Sequence, residues 1–252
     1  MVPLYTIIIT AFKSPFELTI NPLGLPSRLT FENFIQAFVK AKILNYSFSS
    51  IYITTVSVVL ILIVNILCSY GLYRLFDRFI GQFIYTVIML GIMIAPVGFV
   101  TTIILFRNFN LYNRQAGVIV AFVAGSVPLA VFLILGFMRG MPKELEEAGI
   151  IDGCSELQSL RYIIIPLLKP VIATVAVFNI VSCWNNMFIP LLLLRNPKLY
   201  TISVGLLNLR SSYRIEYTLL FAALLITAVP VIIVYFMFQK QFVESLVGSV
   251  KG

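Results

Sequence analysis

The sequence contains no histidine. Imidazole therefore plays no part here as a metal ligand or as a general acid–base group. Charge is scarce as well: 11% of the 252 residues are charged and 60% are apolar, whereas a soluble domain carries about a quarter charged residues. The three cysteines, Cys68, Cys154 and Cys183, show no paired spacing and imply no disulfide framework. Cys68 and Cys183 lie inside apolar runs, where a thiol is a small hydrophobe. No Gly-x-x-x-x-Gly-Lys-Ser/Thr phosphate loop occurs, so ATP hydrolysis is not expected of this chain, and no cofactor motif is present. The formal charge of +8 comes from basic residues scattered over short loops. They form no stripe interleaved with aromatics, which argues against nucleic acid as a partner.

What the chain does have is long uncharged runs. They lie between Lys42 and Arg74, Arg78 and Arg107, Arg114 and Arg139, Lys169 and Arg195, and Glu216 and Lys240. Each is longer than the roughly 20 residues that a spanning helix needs. Lipid offers no partner to open backbone groups, so each run is expected as α-helix. Val2–Phe12 is apolar but too short to span, and reads as an incomplete first span. The expected fold is an all-α polytopic membrane bundle of about six spans, a single domain over residues 1–252. None of the five runs holds an Asp or Glu, which weakens the case for a proton-driven carrier. Pro96, Pro128, Pro190 and Pro230 lie within the runs and would mark kinks.

One stretch breaks the pattern. Between 143 and 161 stand Lys143, Glu144, Glu146, Glu147, Asp152, Glu156 and Arg161. Pro142 suits a helix start, and the glutamates after it favour the positive end of the helix dipole. Gly149 and Gly153 are four apart, which on a helix puts both on one face and allows close approach. Pro166 would stop the helix. On residues alone this is a short charged helix outside the bilayer, or an amphipathic connector between spans.

The spacing adds to this. Glu147-Ala148-Gly149, then Gly153, then Ile163-Ile164-Ile165-Pro166 resembles the cytoplasmic loop of ATP-binding-cassette importer permeases, which reads Glu-Ala-Ala, three residues, Gly, nine residues, Ile-x-Leu-Pro. Gly149 replaces the second Ala and Ile165 replaces Leu. The resemblance implies that Glu147, Ala148, Gly149, Asp152 and Gly153 form a docking surface for an ATPase subunit. Trp184-Asn185-Asn186-Met187-Phe188-Ile189-Pro190-Leu191 resembles a fifth-span pattern of the carbohydrate importers, with Asn186 where an acid is common. Uncompensated amides are costly in lipid, so Asn179, Ser182, Trp184, Asn185 and Asn186 are candidates for a translocation path. Hydrogen bonding between helices accounts for them equally. The end, Gly248, Ser249, Val250, Lys251 and Gly252, resembles the tail that in this family reaches the ATPase interface.

The resemblance, to the maltose type of carbohydrate importer, implies several partners. They are a second homologous permease, two ATPase subunits and an extracytoplasmic sugar-binding protein, assembled in the inner membrane of a bacterium or archaeon. It also implies alternating access, with the ATPases gripping the charged helix. A glycerol-phosphate or other polar-solute importer, and an ion-coupled carrier acting alone, remain as alternatives. Asn33 to Lys42 reads as an amphipathic helix at the interface, touching the binding protein or simply connecting. Placing the charged helix inside leaves Arg74, Arg78, Arg139, Lys143, Arg161, Lys169, Lys240 and Lys251 inside. It leaves Lys13, Arg28, Lys40, Lys42, Arg107, Arg114, Arg195, Lys198, Arg210 and Arg214 outside. That is no positive-inside bias, so orientation rests on the motif. A basic outer face would attract an acidic binding protein.

Overall fold

The longest uncharged run becomes the longest helix, because nothing in it offers the backbone an alternative to internal hydrogen bonds. The computed structural model describes residues 2–40, 42–93, 98–142, 144–151, 153–209 and 216–248, and among these no strand occurs. In chain order the helices are α1 (Val2–Ala11), α2 (Pro15–Ile20), α3 (Glu32–Lys40), α4 (Ile43–Leu75), α5 (Phe79–Met93), α6 (Phe99–Asn108) and α7 (Gln115–Arg139). Then follow α8 (Glu144–Ile151), α9 (Glu156–Ser159), a π-turn at Leu160–Ile164, α10 (Ile165–Leu167), α11 (Lys169–Asn185), α12 (Phe188–Leu193), α13 (Ile202–Gly205) and α14 (Tyr217–Gly248).

By length and composition α4 and α7 can each cross a membrane. At 33 residues and 1.5 Å per residue, α4 is longer than a bilayer core of about 30 Å. Its buried face steps by three and four through Ile43, Tyr46, Ser50, Ile53, Ser57, Ile61, Asn65, Ser69 and Leu72. Small hydroxyl residues on such a face let helices approach closely. Asn65 Nδ2 donates to Ile61 O (2.7 Å) and to Ser126 Oγ on α7 (3.2 Å).

Two runs are not the unbroken helices expected. The run from Arg78 to Arg107 is divided into α5 and α6. Gly98, with φ of 133°, is outside the helical region just before α6 begins, and Pro96 lies outside the described residues. The run from Lys169 to Arg195 breaks after Asn185. Pro190 has no N–H to return to Asn186, and Asn186 Oδ1 instead accepts from Ile189 N (3.0 Å), opening α12 afresh. Pro128 and Pro230 lie inside α7 and α14. A bend of 75° separates Glu156–Leu167 from Lys169–Asn185, where Pro170 opens α11.

The chain divides into two compact units. One comprises Met1–Thr54, Ile103–Val118 and Trp184–Val234, the other Thr55–Thr102, Ile119–Cys183 and Tyr235–Gly252. The first has a core of Ala37, Ile43, Tyr46, Trp184, Ile202, Leu219 and Ala223. The second is centred on Leu72, Val131 and Leu135, with Phe76, Tyr85 and Ile88 packed against them.

In the first unit, residues 13–33 fold on themselves. Lys13, placed above among the outer surface charges, is 0% exposed. Its Nζ donates to Asn21 O (2.7 Å) and Pro22 O (3.3 Å), which is how a buried ammonium is tolerated. Asn33 Nδ2 donates to Ala11 O (2.8 Å) and Lys13 O (2.7 Å), and Phe12 packs edge-on against Phe31, with ring centroids 5.5 Å apart. Lys42, with φ of 49°, turns the chain between α3 and α4.

Candidate functional site

The charged stretch is not one helix stopped by Pro166. It is two helical pieces joined by a turn. Helix α8 ends at Ile151. Cys154 N then donates to Gly149 O (2.9 Å), and Gly153 has φ of 81°, a left-handed conformation that L side chains resist. Such a glycine is the usual way to stop a helix and turn the chain. Ser155 restarts it with a capping box. Its hydroxyl accepts from Gln158 N (3.4 Å), and Ser155 N donates to Gln158 Oε1 (2.8 Å). A proline ring in a helix meets the carbonyl four residues back, and the wider π-turn at Leu160–Ile164 ends two residues before Pro166.

The two glycines therefore have different tasks. Gly149 is buried, and a methyl group on it would coincide with Ile163 Cδ1. Its close approach is to its own chain: it lets α8 lie against the π-turn. Gly153 lies beyond the end of α8, not on a shared helical face, and nothing lies within 4 Å of where its Cβ would be. Glu147 and Ala148 lie within α8. Asp152 lies outside the described residues.

Along the second piece, Leu160, Ile164 and Leu168 are buried at spacings of four. Large apolar residues are nevertheless exposed: Ile151 at the end of the first piece is 85% exposed, and Leu157 and Tyr162 on the second are 71% and 66% exposed. Motif spacing does not pick these out. The signal was there, since large apolar side chains in a charged connector are out of place unless something covers them.

Among the fifth-span residues, Asn179 is buried and donates to Val175 O one turn back (2.8 Å). Ser182 is exposed. Trp184 is a core residue of the first unit, its Nε1 donating to Thr227 O (3.1 Å) and its carbonyl accepting from Ser203 Oγ (2.9 Å). Asn185 is exposed, and Asn186 Oδ1 accepts from Ile189 N in the first turn of α12. Asn179, Trp184 and Asn186 thus have structural bonds, and Ser182 and Asn185 are the members with exposed side chains. Gly248 is the last residue of α14, while Ser249, Val250, Lys251 and Gly252 lie outside the described residues.

A second cluster joins the α6–α7 loop to the segment after α12. Asn113, with φ of 57°, donates its N–H to Leu193 O (2.8 Å). Its Oδ1 accepts from the N–H groups of Arg195 and Asn196, each at 2.9 Å. Arg195 Nε donates to the Tyr112 hydroxyl (2.8 Å), and the Arg107 guanidinium lies 4.7 Å from the centre of the Tyr112 ring. The Arg195 bond holds the phenol below its usual range against a small effect of burial, and Arg107 adds to it. Two exposed guanidiniums, Arg107 at the end of α6 and Arg195 after α12, are thereby held at Tyr112.

A helical chain with repeated apolar runs and one charged hairpin between them has the build of a polytopic membrane permease. A solved structure of a bacterial ABC transporter involved in import of the acidic polysaccharide alginate has a chain of the same fold. The TM-score is 0.84 at 24% identity, over 95% of this chain and 89% of that one. The family model for the binding-protein-dependent transport system inner membrane component matches residues 77–247, and the chain belongs to that family. It is 32% identical to the diacetylchitobiose uptake system permease protein NgcG of Streptomyces coelicolor, over 98% of this chain and 82% of that protein. It is 34% identical to the arabinooligosaccharides transport system permease protein AraQ of Halalkalibacterium halodurans, over 99% of this chain and 91% of the relative.

Proposed function

We propose that this chain is one permease subunit of an ATP-driven, binding-protein-dependent importer of carbohydrate, and that it forms half of the translocation pathway. Both relatives named above are permeases for oligosaccharides by name, and the alginate importer has the same fold. The substrate class follows those relatives. Partner ATPase subunits supply the hydrolysis, and a second homologous permease supplies the other half of the path.

The observation that carries the reading is the hairpin at 144–167. It is charged and built from short capped pieces, yet it leaves Ile151, Leu157 and Tyr162 uncovered. A groove on an ATPase subunit accounts for that surface: the apolar side chains fill it, and the open space at Gly153 admits its wall. The hairpin then faces the cytoplasm. The fixed guanidiniums of the Tyr112–Arg195 cluster suit an acidic binding protein. Exposed hydroxyl and amide groups on a spanning helix avoid lipid, so Ser182 and Asn185 face the path or the second permease.

The test is co-purification of the tagged chain from mild detergent, with an ATPase assay on the product. The expected result is recovery of a second permease and an ATPase, with hydrolysis stimulated by a loaded sugar-binding protein. A single-chain preparation that takes up solute on an ion gradient would overturn the reading.

A further inference from the structure

The Tyr70 side chain is 9% exposed near the end of α4, and its hydroxyl takes part in three hydrogen bonds. It accepts from Arg74 Nε (3.1 Å) and Arg74 Nη2 (2.8 Å), one turn along the same helix. It donates to Glu156 O (3.2 Å), across 86 positions of sequence. Glu156 opens α9, and the Ser155–Gln158 capping box fixes the direction of that carbonyl. The phenol therefore stands between α4 and the hairpin.

From this we infer that Tyr70, held by Arg74, is the positioning residue that fixes the register between α4 and the hairpin, so that displacement of one displaces the other. The inference rests on the reading of the hairpin as the ATPase-docking element. Within the hairpin Leu160 and Ile164 are buried apolar side chains. Apolar burial is nearly indifferent to direction, and such surfaces slide. A hydrogen bond weakens steeply off axis, so this bond sets a register that apolar burial leaves open. The bidentate guanidinium polarises the phenol and strengthens its O–H as a donor. The acceptor is a main-chain carbonyl, so the link depends on the residue type at 70 and 74 and on the fold at 156. Tyr70 touches no substrate in this scheme. It acts through the hairpin.

The test uses the whole transporter in liposomes and reads solute carried per ATP hydrolysed. Loss of folded complex alone lowers both rates and leaves that ratio unchanged. Tyr70→Phe keeps the ring and removes the hydroxyl. The expected result is that the ATPase still co-purifies, hydrolysis stays within about twofold, and solute per ATP falls about fivefold, the scale of one lost hydrogen bond. Arg74→Gln should cause a smaller fall, and the double variant should be no worse than Tyr70→Phe, because both act on one link. An unchanged ratio in Tyr70→Phe, or losses that simply multiply in the double variant, would overturn the inference while leaving the docking reading intact. Absence of any ATPase from the wild-type preparation would overturn both. Should Tyr70→Phe itself lose the ATPase, Arg74→Gln decides: an unchanged ratio there overturns the inference.

Discussion

The polar segment at 13–33 and the hairpin at 144–167 are both connectors, and they are held in opposite ways. The first is tied to itself and its near neighbours. Lys13 reaches Asn21 and Pro22, Asn33 reaches Ala11 and Lys13, and Glu17 accepts from Ser27 Oγ at 2.6 Å. The hairpin is tied to a residue 86 positions away and leaves Ile151, Leu157 and Tyr162 exposed. A loop closed on itself keeps its shape whatever the spans do. A loop anchored to a span must follow it, and its uncovered face is free for another chain. The contrast separates a connector that resists movement from one suited to transmit it.

The largest expected effect falls on the uncovered face. Gly153→Arg meets no atom of its own chain, strains a left-handed backbone, and projects where a partner would lie. Uptake should fall roughly tenfold or more, the scale of losing an interface hot spot. Gly153→Asn should stay near wild type, because asparagine tolerates a left-handed backbone. Equal loss in both variants would mean that the backbone at 153, rather than a partner surface, sets the sensitivity.

Breaking the self-closed segment comes next. Lys13→Met leaves the carbonyls of Asn21 and Pro22 without their donor. Bonds to charged groups contribute about 1.5–3 kcal/mol, so this segment should open locally by about that much. Limited proteolysis in detergent should show new cuts between 14 and 30, with the ATPase still co-purifying. Loss of the ATPase instead would show that the two connectors are not independent.

A smaller effect is expected at Gly149. Gly149→Ala gains about 1 kcal/mol of helix propensity but overlaps the free end of the Ile163 side chain, and turning that end aside costs about 0.5–1.5 kcal/mol. The two terms nearly cancel, so thermal unfolding should change by less than about 1 kcal/mol. With Ile163→Val, which removes the overlapping atom, the alanine should become net stabilising. Absence of that gain would remove the packing role given to Gly149.

Much of the architecture is legible because lipid excludes charge, so the brackets Lys42–Arg74 and Arg114–Arg139 mark α4 and α7 directly. The spacing around Glu147 and Gly153 locates the hairpin. What cannot be read is how each connector is fastened, and the reason is common to several residues. Lys13, Asn33, Tyr70 and Trp184 all donate to main-chain carbonyls. Every residue carries a carbonyl, so no residue type at the acceptor marks the bond. The left-handed φ at Gly153 is hidden for a related reason. A glycine four residues from another fits a helical face and a helix stop equally well, and the backbone alone decides. Tyr70 and Arg74 could be recognised as an i, i+4 pair, but their partner at 156 depends on tertiary packing.

The smallest expected effect concerns pH, and it sharpens the contrast because it should touch one connector only. The Ser27 hydroxyl and then the Ser27 N–H bond the Glu17 carboxylate and hold it below its ordinary range, with Lys13 adding to this and slight desolvation opposing it. A carboxyl lowered in the folded state stabilises it fully above the unfolded value of about 4.3, and the contribution is lost as pH falls through the folded value. Glu17 is solvent-exposed, so screening keeps the effect small. Hydrogen exchange at Ser27 N–H, corrected for intrinsic rates, should therefore show protection that is steady from pH 7 down to about pH 5. Below that, protection should decline in the wild type. Glu17→Gln should show weaker protection without the decline. The amide of Cys154, which bonds to Gly149 O in the hairpin, should show no matching transition. A decline shared by both amides would mean that acid loosens the fold as a whole, and Glu17 would lose its particular role in closing the segment at 13–33.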